Sequence, residues 1–106
     1  MGRVKIGKLT EFPDGEMSGV DVDGRILLVV NLEGRLHAVG SDLADSATRL
    51  WHSVLKGDAI ESEDGTRRDV RTGRVIYAPR RICGDAWDLT PYRVTIEEDD
   101  VVIELM

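Results

Sequence analysis

Apolar positions in this chain fall in short runs separated by turns rich in Gly and Asp, which is the rhythm of an all-β protein. Val4–Lys5–Ile6 predicts a short first strand, and Pro13–Asp14–Gly15 a turn. Met17–Val22 alternates weakly and ends at Asp23–Gly24, a two-residue hairpin signal. Residues 25–31 form an apolar run of strand length, and Asn31-Leu32-Glu33-Gly34 turns the chain into Leu36–Val39. Residues 16–39 therefore read as a three-stranded meander.

The second half repeats the style. Residues 58–62, 66–70 and 74–78 predict short strands, broken at Glu63–Thr66 and at Arg71-Thr72-Gly73. An irregular stretch over 79–90 follows. Tyr92, Val94 and Ile96 then alternate with Arg93, Thr95 and Glu97, so the first set is expected inward. A turn at Glu98-Asp99-Asp100 leads to a last strand, Val101–Leu105. One segment departs from this rhythm. Leu50 with Val54, and Trp51 with Leu55, are apolar pairs at helical spacing, with Asp45 or Ser46 as cap and Gly57 as stop. They predict a short helical segment near 46–55.

With 106 residues, 42% hydrophobic and 32% charged, the chain is expected to be a single soluble domain spanning 1–106. Aromatic residues are only 5%, so the core must be built of Val, Leu and Ile. Its net charge of −6 argues against nucleic acid as a partner, and no apolar run suits a membrane span or a secretion signal. A cytoplasmic location is expected. The single cysteine, Cys83, excludes an internal disulfide, a thiolate zinc site and a cluster held by four cysteines. Arg80 and Arg81 beside it could lower its pKa, but no paired base supports catalysis.

Charge is uneven along the chain. Residues 67–81 hold six arginines against Asp69, and residues 82–106 hold Arg93 against seven acids. The arginines are expected to pair with the acidic C-terminal strands, or else to form a docking patch for an acidic partner.

The order of these elements resembles the Rieske-type ferredoxin family. VKIGKLTEFPDGE is similar to that family's first strand and turn, and GRILLVVNLEGRLHAV to its central meander. Asp69-Val70-Arg71-Thr72-Gly73 matches the segment Phe-Asp-x-x-Thr-Gly that follows the second cluster loop. Pro79 and the ending PYRVTIEEDDVVIEL resemble the proline-bearing loop and final hairpin. The resemblance implies an antiparallel β-sandwich of short meanders.

It also implies two loops, Cys-x-His and Cys-x-x-His, around a [2Fe–2S] cluster. In this chain those positions fall on Leu43 and Asp45, and on Glu61 and Asp64, with a one-residue shift placing Ser62 at the second cysteine. None is a ligand for such a cluster, so the expected cofactor is none. The small subunits of assimilatory nitrite reductases are a Rieske-like group of this size without the ligands, but their Ser-Pro-Leu segment is missing here.

Three functions follow as expectations. The first is an accessory or binding subunit of an oxygenase- or reductase-type complex, acting by protein–protein docking. Arg80, Arg81, Ile82 and Trp87 would then meet the partner, while Leu43, Leu50 and Trp51 fill the space of the cluster. The second is an electron-transfer ferredoxin of a ring-hydroxylating dioxygenase. The third is a small metalloprotein using Asp45, His52, Glu61 and Asp64. His37, in an alternating strand, is expected to be a structural or surface residue. No P-loop, dinucleotide fingerprint or hydrolase triad is present, so the chain is expected to be a non-catalytic subunit.

Overall fold

The structure, a computed structural model, describes residues 2–22, 25–40, 53–63, 65–79 and 88–105. Ten strands appear among them: β1 Gly2–Lys8, β2 Met17–Val22, β3 Arg25–Leu32, β4 Arg35–Gly40, β5 Val54–Lys56, β6 Ala59–Glu61, β7 Arg67–Asp69, β8 Val75–Tyr77, β9 Thr90–Glu97 and β10 Asp100–Leu105. One short 3-10 helix, Leu9–Glu11, joins β1 to the first turn. The strands form a six-stranded sheet in the order β1-β10-β9-β4-β3-β2 and a four-stranded sheet in the order β5-β6-β7-β8. All pairings are antiparallel.

The apolar run of β3 sets the layering. Leu27 and Val29 point into a cluster with Phe12, Val22, Ala38, Val101 and Ile103, inside the larger sheet. Ile26, Leu28 and Val30 point the other way, into a cluster with Val39, Ile60, Val70 and Leu89 that joins the two sheets. A strand buried on both faces cannot alternate with polar residues, which is why residues 26–30 are continuously apolar.

Turn chemistry fixes the ladders. β3 and β4 pair up to Leu32↔Arg35, and Glu33 (φ 54°) and Gly34 (φ 88°) both take left-handed conformations, as a tight type I′ turn requires. Asn31, buried at its base, uses every polar group. Its Nδ2 donates to the Phe12 carbonyl (2.7 Å), and its Oδ1 accepts from Gly34 N (2.9 Å). Its backbone N–H donates to Glu16 O (3.1 Å), and its carbonyl accepts from Gly15 N (2.8 Å). The β2–β3 ladder ends at Val22↔Arg25, leaving a two-residue connection where Asp23–Gly24 predicts one; those two residues lie outside the described set.

The structure corrects three expectations. Val54 and Leu55 lie in β5, paired with Glu61 and Ile60, and are not helical. Gly57 (φ 63°) sits first in the two-residue turn between Lys56 and Ala59, so it closes a hairpin where a helix stop was expected. The rest of the expected helix, 46–52, lies outside the described residues. Ile96, expected inward, is 44% exposed. It shares a face with Val94 but stands next to the β9–β10 turn, beyond the reach of the inner cluster.

Arginines of the basic run also take partners other than the expected ones. Arg67 pairs with Glu61 (2.9 Å) and Arg71 with Asp58 (3.3 Å), both within the small sheet's own segment. The acids of the C-terminal hairpin pair instead with neighbours in the large sheet. Asp100 takes Lys8 (2.6 Å) and Lys5 (3.3 Å), and Glu97 takes Arg3. Strand order separates the basic run from the acidic hairpin, so proximity along the chain does not become proximity in space. The two lysines hold the Asp100 carboxyl below the usual range, Lys8 most strongly.

The Asp69–Gly73 turn is tightly constrained. The Asp69 carboxylate accepts from Arg71 N (2.7 Å), and Thr72 Oγ1 accepts from Arg74 N (3.2 Å). Gly73 N donates to Asp69 O (2.8 Å), and Gly73 O accepts from Leu89 N (2.7 Å). Gly73 has φ 75°, and a Cβ there would lie 2.1 Å from the Leu89 carbonyl oxygen. Gly57 has φ 63° but open space around it. Gly73→Ala is therefore expected to destabilise by about 2–4 kcal/mol, and Gly57→Ala by about 1 kcal/mol. Urea unfolding midpoints of the two variants check this; equal losses would mean that the Leu89 contact adds nothing.

Candidate cofactor site

The second of the two loops named by the sequence joins β6 to β7. Ser62 opens it and closes it as well: its N–H donates to Thr66 O (2.9 Å), and its carbonyl accepts from Gly65 N (2.9 Å). Gly65 (φ 91°) lets the chain reverse, with its α-carbon face against the ring of Pro79. β7 is only three residues long, yet it alternates. Arg67 points outward to Glu61, with its guanidinium carbon 5.8 Å from the centre of the Tyr77 ring. Arg68 points inward, is 4% exposed, and donates from Nη1 to Ser62 Oγ at 2.8 Å.

Of the expected ligand positions, Glu61 and Ser62 are described. Glu61 ends β6 and gives its carboxylate to Arg67, on the outer side of the sheet. Ser62 is the residue that stands inside the loop. Leu43, Asp45 and Asp64 lie outside the described residues, as do Leu50, Trp51, His52, Arg80, Arg81, Ile82, Cys83 and Trp87. Among the described residues no group of three or more His, Cys, Asp and Glu side chains converges as a metal site. Of the expected set Asp45, His52, Glu61 and Asp64, the described member Glu61 is engaged by Arg67.

His37 stands in β4 opposite Val30 and is half-buried. Burial first, then the guanidinium groups of Arg71 and Arg35, hold its pKa below the ordinary value, with Asp69 opposing. Sequence reasoning missed the Arg68–Ser62 pair. The available signal was the segment Phe-Asp-x-x-Thr-Gly, in which Arg68 stands where the pattern has Phe.

A six-stranded antiparallel sheet with a four-stranded sheet inserted between two of its neighbouring strands is the architecture of a Rieske-type iron–sulfur domain. The chain belongs to the Rieske-type ferredoxin family. It is 34% identical over 98 residues to the ferredoxin component of a naphthalene 1,2-dioxygenase system from Pseudomonas aeruginosa, covering 92% of this chain and 89% of that one. Its structure superposes on the Sphingomonas yanoikuyae B1 ferredoxin with a TM-score of 0.79, at 22% identity, over 99% of this chain and 100% of the other. A chain from the complex of reduced oxygenase and oxidized ferredoxin in carbazole 1,9a-dioxygenase matches with a TM-score of 0.77 at 21% identity, over 95% of this chain and 91% of that one. No family model matches the sequence. Among the described residues no helix is long and apolar enough to cross a membrane.

The fold implies a cluster that takes two thiolates on one iron and two imidazoles on the other. The chain has one cysteine and two histidines. One of those histidines, His37, is built into the β3–β4 ladder. At the second loop the described donors are a carboxylate bound to Arg67 and a hydroxyl bound to Arg68. The residues present do not make up the donor set of that cluster.

The His37 environment yields a pH dependence. The native imidazole binds a proton less readily than the unfolded chain, whose value is near 6.5. The stability this provides is present above that value and is lost as pH falls through the lower native pKa. Wild type is therefore expected to lose more stability than His37→Gln between pH 7.5 and 5, as read from urea midpoints, where groups common to both proteins cancel. Parallel curves would remove the role assigned to His37.

Proposed function

We propose that this chain occupies the ferredoxin position of a ring-hydroxylating-dioxygenase type of system and acts there by docking on an oxidoreductase partner, without a Rieske cluster of its own. The observation that carries this reading is the donor set: one cysteine cannot supply two thiolates. A carboxylate or hydroxyl is too hard a ligand to take the place of sulfur at that centre. The family supports the kind of partner. The matched ferredoxin of carbazole 1,9a-dioxygenase is held in complex with its oxygenase, and the terminal oxygenase is the partner we assign to this chain. Residues 42–52, 61–66 and 79–88 would form the docking end, with Arg80, Arg81, Ile82 and Trp87 as its contacts.

A second reading, an electron-carrying ferredoxin component, is favoured by the comparisons taken alone. The four curated relatives are all described as ferredoxin components of naphthalene 1,2-dioxygenase systems. Protein prepared without oxygen separates the two. The docking reading expects a colourless protein with iron and acid-labile sulfide far below stoichiometric, and no Rieske signal in the EPR spectrum of the reduced sample. A reddish-brown protein with that signal would establish the second reading.

Docking is tested with the purified terminal oxygenase of the same system, by binding and by competition with a cluster-bearing ferredoxin. Trp87→Ala and the double change Arg80→Glu with Arg81→Glu are each expected to weaken binding about tenfold or more while the fold is retained. Normal binding by both variants, with binding lost on changing the opposite face, would overturn the assigned docking end.

A further inference from the structure

We propose that Arg68 holds the 62–66 loop closed from within, so that the loop folds with no metal. The inference rests on the cluster-free reading above and deepens it.

The placement follows from register. Leu55, Ile60, Arg68 and Val75 form one row across the small sheet, since Leu55 pairs with Ile60, Ile60 with Arg68 and Arg68 with Val75. Ile60 is fully buried in the cluster that joins the sheets, and the Arg68 side chain enters the same layer at 4% exposed. A guanidinium is costly to bury and persists only where acceptors meet it. One such acceptor is Ser62 Oγ, 2.8 Å from Nη1.

Ser62 is itself 9% exposed, and its backbone makes both bonds that close the loop, to Thr66 and from Gly65. One side chain thus pins the residue on which the loop's backbone bonds converge. A donor with charge also binds a hydroxyl more strongly than a neutral donor would. The same geometry works against a metal at this point. The Ser62 hydroxyl already gives an acceptor position to Arg68, for which a metal would have to compete.

The test is amide hydrogen exchange on the full chain after exhaustive chelation, with metal content measured in parallel. The amides read are Ser62 and Gly65 in the loop, with Val29 and Ile103 as references in the large sheet. In wild type, Ser62 and Gly65 are expected to remain protected after chelation. Arg68→Met keeps the stem and removes the donors. It is expected to speed exchange at both loop amides by about tenfold or more, with the references unchanged. Ser62→Ala removes only the side-chain acceptor and is expected to shift the loop amides in the same direction by a smaller factor. It decides the matter alone if Arg68→Met does not fold.

Loop protection in Arg68→Met equal to wild type would overturn the proposal, as would unchanged protection in Ser62→Ala. Those results would leave the cluster-free reading standing. Loss of protection in wild type on chelation would show instead that a metal holds the loop, and both readings would fall together.

Discussion

The fold turns on the fact that β3 has no outer face. Its odd and even positions feed different apolar clusters, one enclosed by the large sheet and one shared with the small sheet. Any polar residue between Ile26 and Val30 would enter one core or the other without a partner, and that cost is of the order of one to several kcal/mol. The strand therefore aligns both sheets at once. Gly40, at the end of β4, shows how tight the fit is, because a Cβ there would lie 2.3 Å from the Leu27 side chain.

Around that wall the chain spends its polar groups on fixing loops. Asn31 ties the turn after the 3-10 helix to the β3–β4 hairpin with four hydrogen bonds from one residue. The Asp69–Gly73 turn ties the small sheet to Leu89, which lies in the shared core. Arg68 and Ser62 form a third such fixture, at the loop where family resemblance leads one to look for a cofactor. The three fixtures lie at separate places, one in the large sheet and one at each end of β7.

Much of this architecture was legible in the sequence, for reasons that can be named. Asp23–Gly24 and Glu33–Gly34 mark hairpins because tight turns need left-handed residues, and the strands they join are long enough to show a pattern. The small sheet was harder to read. Strands of three residues give no periodicity, so Val54 and Leu55 could pair with Leu50 and Trp51 at helical spacing as easily as they pair across a hairpin. Ile96 kept its expected face but lost its burial, because alternation says which side a residue takes and not how far the core extends. The ion pairs were misjudged because charge runs carry no information about strand order. In the loop, the residue types at the family's ligand positions were legible one by one. The inward turn of Arg68 had one signal only, its place at the Phe of Phe-Asp-x-x-Thr-Gly; within the basic run it looks like any other arginine.

The small sheet lies wholly between Gly40 and Thr90, which pair directly in the large sheet. Its own ladders join strands that follow one another in the chain, so its contacts are local. The β4–β9 ladder, by contrast, must wait for the whole of 41–89 to be brought into a closed loop. Contacts of short sequence separation form early, and loop closure grows cheaper once the intervening chain is compact. The small sheet is therefore placed to act as a folding clasp, its local ladders shortening the loop that the β4–β9 pairing has to close.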